Sequence, residues 1–298
     1  MKTSLVVLAA GMGSRYGGLK QLDSMDQQGH TLLDFSVYDA YKVGFDEVVF
    51  IIRESIKDEF HEKIGKPMSS MLSVKYVMQD SNTNPLNMKI EREKPLGTGH
   101  ALYCAKDVVK SNFAIINADD FYGRETLETI HRFLIDNKIE NEHILAPFEL
   151  QKTISEKGSV SRGVCSVEQG KLQAIVEETD IITKDGKIFV RKDNSLEEMD
   201  PKTLVSMNCW GFKPSIFDII SEDLTRFLKN DYLENIEKSE YFLPTVVDRN
   251  LNKTMSVDVK PSMSQWFGVT YQEDKIIVMN EIKKLKEEGV YPEKLWEQ

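Results

Sequence analysis

The sequence has few cysteines, and their spacing forms no recognisable pair. Cys104, Cys165 and Cys209 are odd in number, far apart and outside any Cys-x-x-Cys motif. Such a set is typical of reduced thiols that pack as small apolar side chains in a cytoplasmic protein. We therefore expect a cytoplasmic chain with free cysteines.

Positive charge and long hydrophobic runs are also scarce. The 298 residues include 38 Lys and Arg against 48 Asp and Glu, a formal net charge of −10, which excludes a global basic field for nucleic acid. The apolar run before Gly11 is about six residues long, so it fits a buried first strand better than a signal peptide. No stretch approaches the roughly 18 apolar residues of a membrane helix, so we expect no membrane partner.

Hydrophobic patterning predicts alternating strands and helices up to about residue 150. The predicted strands are apolar throughout, which is typical of strands buried on both faces of a sheet. The fold class that follows is α/β, with a doubly wound and mostly parallel sheet. The predicted strands are Leu5–Leu8, Glu47–Ile52, Val74–Met78, Phe113–Asn117 and Ile144–Leu150, and the predicted helices are Leu32–Val43, Ser55–Ile64, Gly99–Val108 and Glu125–Asn137.

The pattern changes beyond residue 150. Short strands separated by Gly and Asp predict antiparallel β-ribbons added to the first sheet over residues 161–212. No internal repeat or long linker interrupts the chain, so we expect a single domain, residues 1–298, with the parts 1–150 and 151–298. Further helices are predicted over 215–228 and 242–250, a strand over 256–259, and a closing amphipathic helix over 274–288.

The loop after the first strand combines glycines with two cations. Glycine lets backbone N–H groups approach phosphate oxygens, Arg15 can grip two oxygens with its planar fork, and Lys20 adds a mobile point charge. A Walker loop is excluded because Leu19 stands where its lysine belongs, and a dinucleotide fingerprint is excluded by the bulk of Tyr16. The loop therefore predicts a phosphate site of another kind.

This loop resembles the signature of the sugar-phosphate nucleotidyltransferases, whose pattern is Gly-x-Gly-x-Arg, a short spacer and Lys. The resemblance implies a Rossmann-like sheet of the GT-A type and Mg²⁺ as cofactor. It also implies that Ala10, Gly11 and Gly13 approach the triphosphate. Arg15 would neutralise the pyrophosphate leaving group, and Lys20 would contact the α-phosphate.

Residues 94–102 resemble the base-reading segment of the uridylyltransferases. There a glycine backbone meets the nucleobase, and the following helix N-terminus faces the ligand. The resemblance implies that Gly97 and Thr98 hold the base and ribose. Arg92 stands where uridylyltransferases have a base-reading Gln, so we assign Arg92 to the nucleotide site and leave the base open.

A strand that ends in paired acids predicts a metal site. Asp119 and Asp120 would repel one another without a cation, and Mg²⁺ prefers a few carboxylates together with phosphate oxygens and water. The run resembles the family's Gly-Asp metal loop, with Ala118 in place of the glycine. The resemblance makes Asp119 the metal ligand. Asp120 is the second candidate for that role, with a neighbouring acid or a loop cap as the alternative reading.

Later segments resemble the acceptor side of the same family. By this resemblance Gly163, Glu177 and Asn208 contact the sugar. The family often carries a second metal-binding Asp in a late Trp-x-Asp-Thr-Gly stretch. Here that stretch begins at Trp266, and Gly268 stands where the acid belongs.

Together these motifs imply transfer of a nucleoside monophosphate from a nucleoside triphosphate to a sugar 1-phosphate, with release of pyrophosphate. Residues 1–150 would then bind the nucleotide and 151–298 the acceptor. A glycosyltransferase that uses a nucleotide-sugar, a non-catalytic binder of nucleotide-sugars, and a phosphorylated alcohol as acceptor remain alternatives. The sugar, the base and homo-oligomerisation stay open.

Overall fold

The computed structural model describes residues 2–11, 20–92, 94–155, 158–192, 195–269 and 272–297. The strands in these ranges are β1 (Thr3–Leu8), β2 (Glu47–Ile52), β3 (Ser73–Met78), β4 (Asn112–Asn117), β5 (Asp120–Phe121), β6 (Glu142–Leu145), β7 (Phe148–Glu149), β8 (Val160–Glu168), β9 (Lys171–Lys184), β10 (Lys187–Lys192), β11 (Ser195–Met199), β12 (Leu204–Ser206), β13 (Trp210–Phe212), β14 (Ser256–Val259) and β15 (Phe267–Gly268). The α-helices are α1 (Leu32–Val43), α2 (Lys57–Phe60), α3 (Lys66–Met68), α4 (Thr98–Cys104), α5 (Arg124–Asp136), α6 (Ile216–Lys229), α7 (Asp231–Glu234), α8 (Leu243–Asn250) and α9 (Asp274–Glu287).

The first half forms the parallel part of one large sheet. Strands β3, β2, β1 and β4 lie side by side in that order, and all three pairings are parallel. Successive residues of β1 pack on opposite faces, as Val6 and Val7 do, and both of these are fully buried. Burial on both faces explains the unbroken apolar runs of these strands, and the predicted α/β sheet is confirmed.

The second half extends this sheet with antiparallel ribbons, as the sequence predicts. β13 pairs antiparallel with β4, and the long strand β9 pairs antiparallel with β8 and β10. Asp185 and Gly186 both have positive φ angles, 51° and 75°. Two such residues form the tight turn that matches the strand twist of a β-hairpin, so they join β9 to β10. No helix in the described part of the chain is both long and apolar enough to span a bilayer.

Helix α1 has the predicted bounds because strong signals mark both ends. The Thr31 side chain accepts the N–H of Asp34, and the Asp34 carboxylate accepts the N–H of Thr31, a reciprocal capping box. Gly44 ends the helix in the left-handed conformation with φ 106°. The chain's last described segment packs on this helix, because the Trp296 indole donates to Asp34 at 2.8 Å and the Tyr291 hydroxyl donates to Asp39 at 2.6 Å.

The buried carboxyl of Asp39 makes the folding stability of this region depend on pH. Burial raises the pKa of its carboxyl to about 6 from 3.8, although hydrogen bonds from Tyr291 and the charge of Arg124 act in the opposite direction. The folded chain therefore holds a proton between pH 3.8 and 6 that the unfolded chain releases. Its stabilising effect is complete at low pH and is lost as the pH rises through 6.

We expect Asp39→Asn, which cannot ionise, to lack this loss of stability. The difference in unfolding free energy between variant and wild type should grow in the variant's favour by about 2–3 kcal/mol from pH 4 to pH 7, at 1.36 kcal/mol per pKa unit. Urea unfolding at a series of pH values measures it, with the exposed Asp136→Asn as the control. Parallel pH profiles for Asp39→Asn and wild type would contradict the assignment.

Candidate active site

The site begins where the carboxyl ends of two neighbouring strands meet. Leu8 at the end of β1 lies beside Asn117 at the end of β4. After β1, the N–H of Ala9 donates to the carbonyl of Ile51 at 2.9 Å and holds the turn. After β4, the N–H of Ala118 donates to the carbonyl of Leu8 at 3.1 Å and holds the second turn. Both turns therefore leave the sheet at the edge where open α/β sheets bind ligands.

The glycine-rich loop enters the site from β1. Ala10 is buried, whereas Gly11 is exposed, and no described atom lies within 4 Å of the point where a Cβ would stand on Gly11. The Gln21 amide donates to the carbonyl of Gly11 at 3.1 Å and so ties the two ends of the loop together. Of the predicted phosphate contacts, Gly13, Arg15 and the side chain of Lys20 lie outside the described residues.

The acidic pair follows β4 directly. The N–H of Val269 donates to the carbonyl of Asp119 at 3.0 Å, which fixes this turn against β15. The Asp120 carboxylate oxygen Oδ2 accepts the Asn117 amide at 2.8 Å and lies 3.2 Å from the Tyr122 hydroxyl. Burial, helped by the charge of Asp120, raises the pKa of Tyr122 well above its ordinary value, so this hydroxyl keeps its proton.

A polar cavity of about 200 Å³ opens beside the acidic pair. It brings Asp119 together with the three predicted acceptor contacts, which come from β8, β9 and the turn before β13. Their roles stay predictions, but their placement in one cavity follows from the added ribbons folding back over the end of β4. The cavity is lined by Asn117, Asp119, Asp120, Ser161, Arg162, Gly163, Glu177, Ser206, Met207, Asn208, Pro244 and Trp266.

The acceptor side of the cavity depends on close strand contact. Gly163 on β8 lies opposite Glu177 on β9, and a Cβ on Gly163 would come within 3.0 Å of the Ile175 side chain. The glycine therefore lets the ribbon close on its neighbour. Burial raises the pKa of the Glu177 carboxyl and the charge of Arg162 opposes that rise, although the residue as a whole is exposed.

Asn208 reaches the cavity through an unusual backbone. Its φ angle is 58°, in the left-handed region that Asn tolerates better than most side chains. Its amide nitrogen lies 3.4 Å from the Asn117 side-chain oxygen, and its own side-chain oxygen lies 3.5 Å from the Trp210 indole nitrogen. The side chain is thus oriented from both ends.

Arg162 is a cavity residue that the motifs did not single out. Its guanidinium donates to the carbonyl and hydroxyl oxygens of Thr153 and lies 5.3 Å from the centre of the Trp266 ring. Burial lowers the pKa of Arg162, and the charges of Asp120 and Glu177 raise it. The one sequence signal was its position directly before Gly163. Arg162 places a fixed positive charge between two carboxylates and supports the Trp266 wall.

The predicted base-reading residues do not line this cavity. They instead contact the backbone of residues 236–243, the segment that leads into α8. A Cβ on Gly97 would come within 2.7 Å of the Tyr241 carbonyl, and the Thr98 hydroxyl accepts the N–H of Leu243 at 3.0 Å. Arg92 donates to the carbonyls of Ile236 and Ser239, at 2.9 Å each. Nucleotide contacts by Arg92, Gly97 and Thr98 stay predictions, but all three have structural roles.

A divalent cation fits the donors of the acidic pair. Within the described ranges no group of three His, Cys, Asp or Glu side chains could hold a metal alone. Asp119 and Asp120 supply hard oxygen donors directly after Ala118, whose N–H bonds the end of β1, and Mg²⁺ is commonly bound by one or two carboxylates together with substrate phosphates. Burial lowers the pKa of His100 to about 4, so its imidazole is neutral, and its Nε2 donates to the Thr83 carbonyl at 3.0 Å and is not available as a metal ligand.

Comparison with known proteins matches this arrangement to one family. The profile described as nucleotidyl transferase matches residues 4–239. Among curated relatives, the bifunctional protein GlmU of Acetivibrio thermocellus is 27% identical over 253 residues, which are 85% of this chain and 45% of GlmU. The low-salt glycan biosynthesis nucleotidyltransferase Agl11 of Haloferax volcanii is 21% identical over 295 residues, 95% of this chain and 68% of Agl11. The chain thus spans less than half of GlmU.

Two solved structures share the fold. The inositol-1-phosphate CTP transferase from T. maritima has a TM-score of 0.62 at 15% identity, covering 95% of this chain and 97% of that one. A UDP-glucose pyrophosphorylase complexed with UDP-glucose has a TM-score of 0.59 at 18% identity, covering 95% and 99%. The predicted Rossmann-like fold and the family resemblance read from the glycine-rich loop are both confirmed.

Proposed function

Because the chain belongs to the nucleotidyl transferase family, we propose that it transfers a nucleoside monophosphate from a nucleoside triphosphate to a sugar 1-phosphate. The observation that carries the proposal is the cavity that joins Asp119 to Gly163, Glu177 and Asn208 at the end of β4. Residues 1–150 bind the nucleotide and 151–298 the acceptor. The reaction takes place in the cytoplasm with Mg²⁺ as cofactor.

The chemistry needs positioning and charge neutralisation rather than a general base. An oxygen of the acceptor phosphate attacks the α-phosphorus in line, the bond from this phosphorus to the bridging oxygen breaks, and pyrophosphate leaves. The attacking oxygen carries no proton, so a catalytic histidine is unnecessary. Asp119 would hold a Mg²⁺ ion, which would supply neutralisation of phosphate charge. Arg15 contacts the leaving group, Lys20 the α-phosphate, and Glu177 with Asn208 orients the acceptor hydroxyls.

Pyrophosphate release tests this proposal directly. Each of ATP, GTP, CTP, UTP and dTTP is combined with Mg²⁺ and a panel of sugar 1-phosphates, with inositol 1-phosphate as a phosphorylated alcohol. We expect release that requires one base and one sugar. Release only with inositol 1-phosphate would move the acceptor to the alcohols, and transfer from a nucleotide-sugar without pyrophosphate chemistry would favour a glycosyltransferase. Nucleotide binding without release from any pair would reject the proposal.

Lys20→Ala should lower turnover by roughly 10²–10³-fold, by analogy with the loss of one donor that stabilises transition-state charge. The reason is that no other lysine of the glycine-rich loop can replace its charge at the α-phosphate. Steady-state pyrophosphate release measures the effect. Lys283→Ala removes a lysine from the exposed face of α9, whose side chain is 74% exposed, and should leave turnover unchanged. Near-normal turnover of Lys20→Ala would contradict its role.

A further inference from the structure

The acidic pair is locked in register with a segment late in the chain. Strand β5 pairs antiparallel with β15, which places Asp120 directly opposite Gly268 and Phe121 opposite Phe267. The two phenylalanine rings are stacked, with centroids 4.3 Å apart and planes inclined by 6°. This stacked pair fixes the distance between the two short strands, so the surroundings of Asp120 and Gly268 are well defined.

The space above Gly268 is filled by the carboxyl group of Asp120. A Cβ built on Gly268 would lie 2.5 Å from Asp120 Oδ1, 2.9 Å from Trp266 Cζ2 and 3.1 Å from the Asp119 carbonyl oxygen. Gly268 is not among the described glycines with positive φ. Its backbone does not demand glycine, so the demand comes from the neighbouring carboxylate.

The same carboxylate is held in one orientation from its other side. The Asn117 amide donates to Oδ2 at 2.8 Å, and the Tyr122 hydroxyl lies 3.2 Å from that oxygen. Tyr122 is itself anchored, because it donates to the Met207 carbonyl at 2.7 Å. Outer groups of this kind commonly fix the orientation of metal-binding side chains.

Asp119 and Asp120 both line the cavity, although they are adjacent in sequence. Successive residues of a strand point to opposite faces, but Asp119 lies in the turn between β4 and β5, so the alternation of a strand does not separate it from Asp120. Two carboxylates so close together repel one another unless positive charge lies between them. Arg162 acts on Asp120 and Glu177, so charge between Asp119 and Asp120 themselves would come from a divalent cation.

We propose that Asp120 provides the second carboxylate of the divalent-cation site, from a position that excludes any side chain at Gly268. The inference rests on the proposed function, because it concerns the cation of that reaction. It explains one departure from the family pattern, the glycine at position 268 of the late stretch, together with the second acid that follows Asp119. The carboxylate that the family places on the late stretch would thus come from Asp120 on β5, directly opposite Gly268 on β15.

Mn²⁺ binding tests the proposal without turnover. Electron paramagnetic resonance counts free Mn²⁺ during titration of wild type, Asp120→Asn, and the exposed control Asp136→Asn. Asp120→Asn keeps the shape of the side chain and an oxygen that can accept the Asn117 amide. We expect its Mn²⁺ affinity to fall at least about 10-fold, within the range for altered metal surroundings, while Asp136→Asn binds as wild type. Wild-type affinity in folded Asp120→Asn would overturn the proposal and leave Asp120 as a structural anchor.

The second measurement moves the carboxylate from position 120 to position 268 and again records Mn²⁺ affinity. It tests the proposal if Asp120→Asn does not fold. Gly268→Asp alone should weaken Mn²⁺ binding, because its side chain collides with Asp120. Combined with Asp120→Ala, which removes the closest contact, it should bind Mn²⁺ more tightly than Asp120→Ala alone, with the Trp266 ring edge, 2.9 Å from the added Cβ, shifting aside. A combined variant that binds no better than Asp120→Ala would contradict relocation. Mn²⁺ binding that follows this pattern without any pyrophosphate release would reject the proposed function but keep the cation site.

Discussion

Replacing Asp119 by Asn is expected to lower turnover by about 10³-fold, since a bound cation contributes several kcal/mol of transition-state stabilisation and each 1.36 kcal/mol is tenfold in rate. The amide keeps the size of the side chain but loses the charge that holds Mg²⁺. The turn itself should survive, because its backbone bond from Val269 to the Asp119 carbonyl does not involve the side chain. Pyrophosphate release at saturating Mg²⁺ measures the loss.

Two further measurements separate loss of the metal ligand from loss of structure. The thermal unfolding temperature without metal should change by no more than about 2 °C, which in a chain of this size corresponds to about 1 kcal/mol of unfolding free energy. Asp185→Asn, in the β9–β10 hairpin turn, removes an equivalent charge far along the ribbon and should retain full turnover. A tenfold or smaller loss in Asp119→Asn would show that the cation is held elsewhere.

The largest expected effect on stability comes from Gly97→Ala. Gly97 has a φ angle of 116°, and an added Cβ would lie 2.7 Å from the backbone carbonyl of Tyr241. A strained backbone costs about 1–3 kcal/mol, and overpacking against atoms that cannot rotate away costs about the same again. We expect the unfolding free energy to fall by about 3 kcal/mol or more, measured by urea denaturation with an unchanged m-value.

Gly29→Ala is the matched control for this variant. Gly29 has a φ angle of 87°, yet nothing lies within 4 Å of its added Cβ. It therefore isolates the backbone strain from the collision with Tyr241. We expect Gly29→Ala to cost about 1 kcal/mol. Equal losses in the two variants would mean that the segment around Tyr241 moves aside, and that the contact is not tightly packed.

Much of the first half could be predicted because its signals are local. The Thr31 cap and Gly44 set the bounds of α1, and the β-branched run of Glu47–Ile52 forms β2 with the predicted ends. The predicted strand Ile144–Leu150 was too long. The chain instead forms β6 and β7 with Pro147 between them, because proline lacks the N–H that a continuous ladder would need.

The prediction for residues 55–64 was inaccurate for a different reason. The predicted helix over 55–64 is a longer helical segment that begins with a 3-10 turn at Glu54–Ile56 and passes through a π-helical turn, His61–Gly65, before α3. Apolar spacing alone does not report how tightly a helix is wound. Here tertiary packing decides, since Phe60 and Ile64 must both be fully buried.

The family resemblance assigned four residues to one site, and the structure brings these four together, while their roles stay predictions. Asp119, Gly163, Glu177 and Asn208 share one cavity, as the motifs imply. Arg162 was missed because an arginine in a β-ribbon is usually a solvated side chain, and only the fold brings Thr153 and Trp266 around it. The place of Asp120 was equally hidden, because it depends on the register of two strands far apart in sequence.

Helix α1 supports two distant parts of the chain at once. Its Asp34 and Asp39 receive the Trp296 indole and the Tyr291 hydroxyl, and its Ser36 hydroxyl donates to the Asp120 carbonyl at 3.2 Å. A displacement of this one helix would therefore reach both the acidic turn and the segment that contains Tyr291 and Trp296. A truncation or fusion that removes the segment with Tyr291 and Trp296 from α1 would therefore be expected to disturb the cation site, although the change lies far from it in sequence.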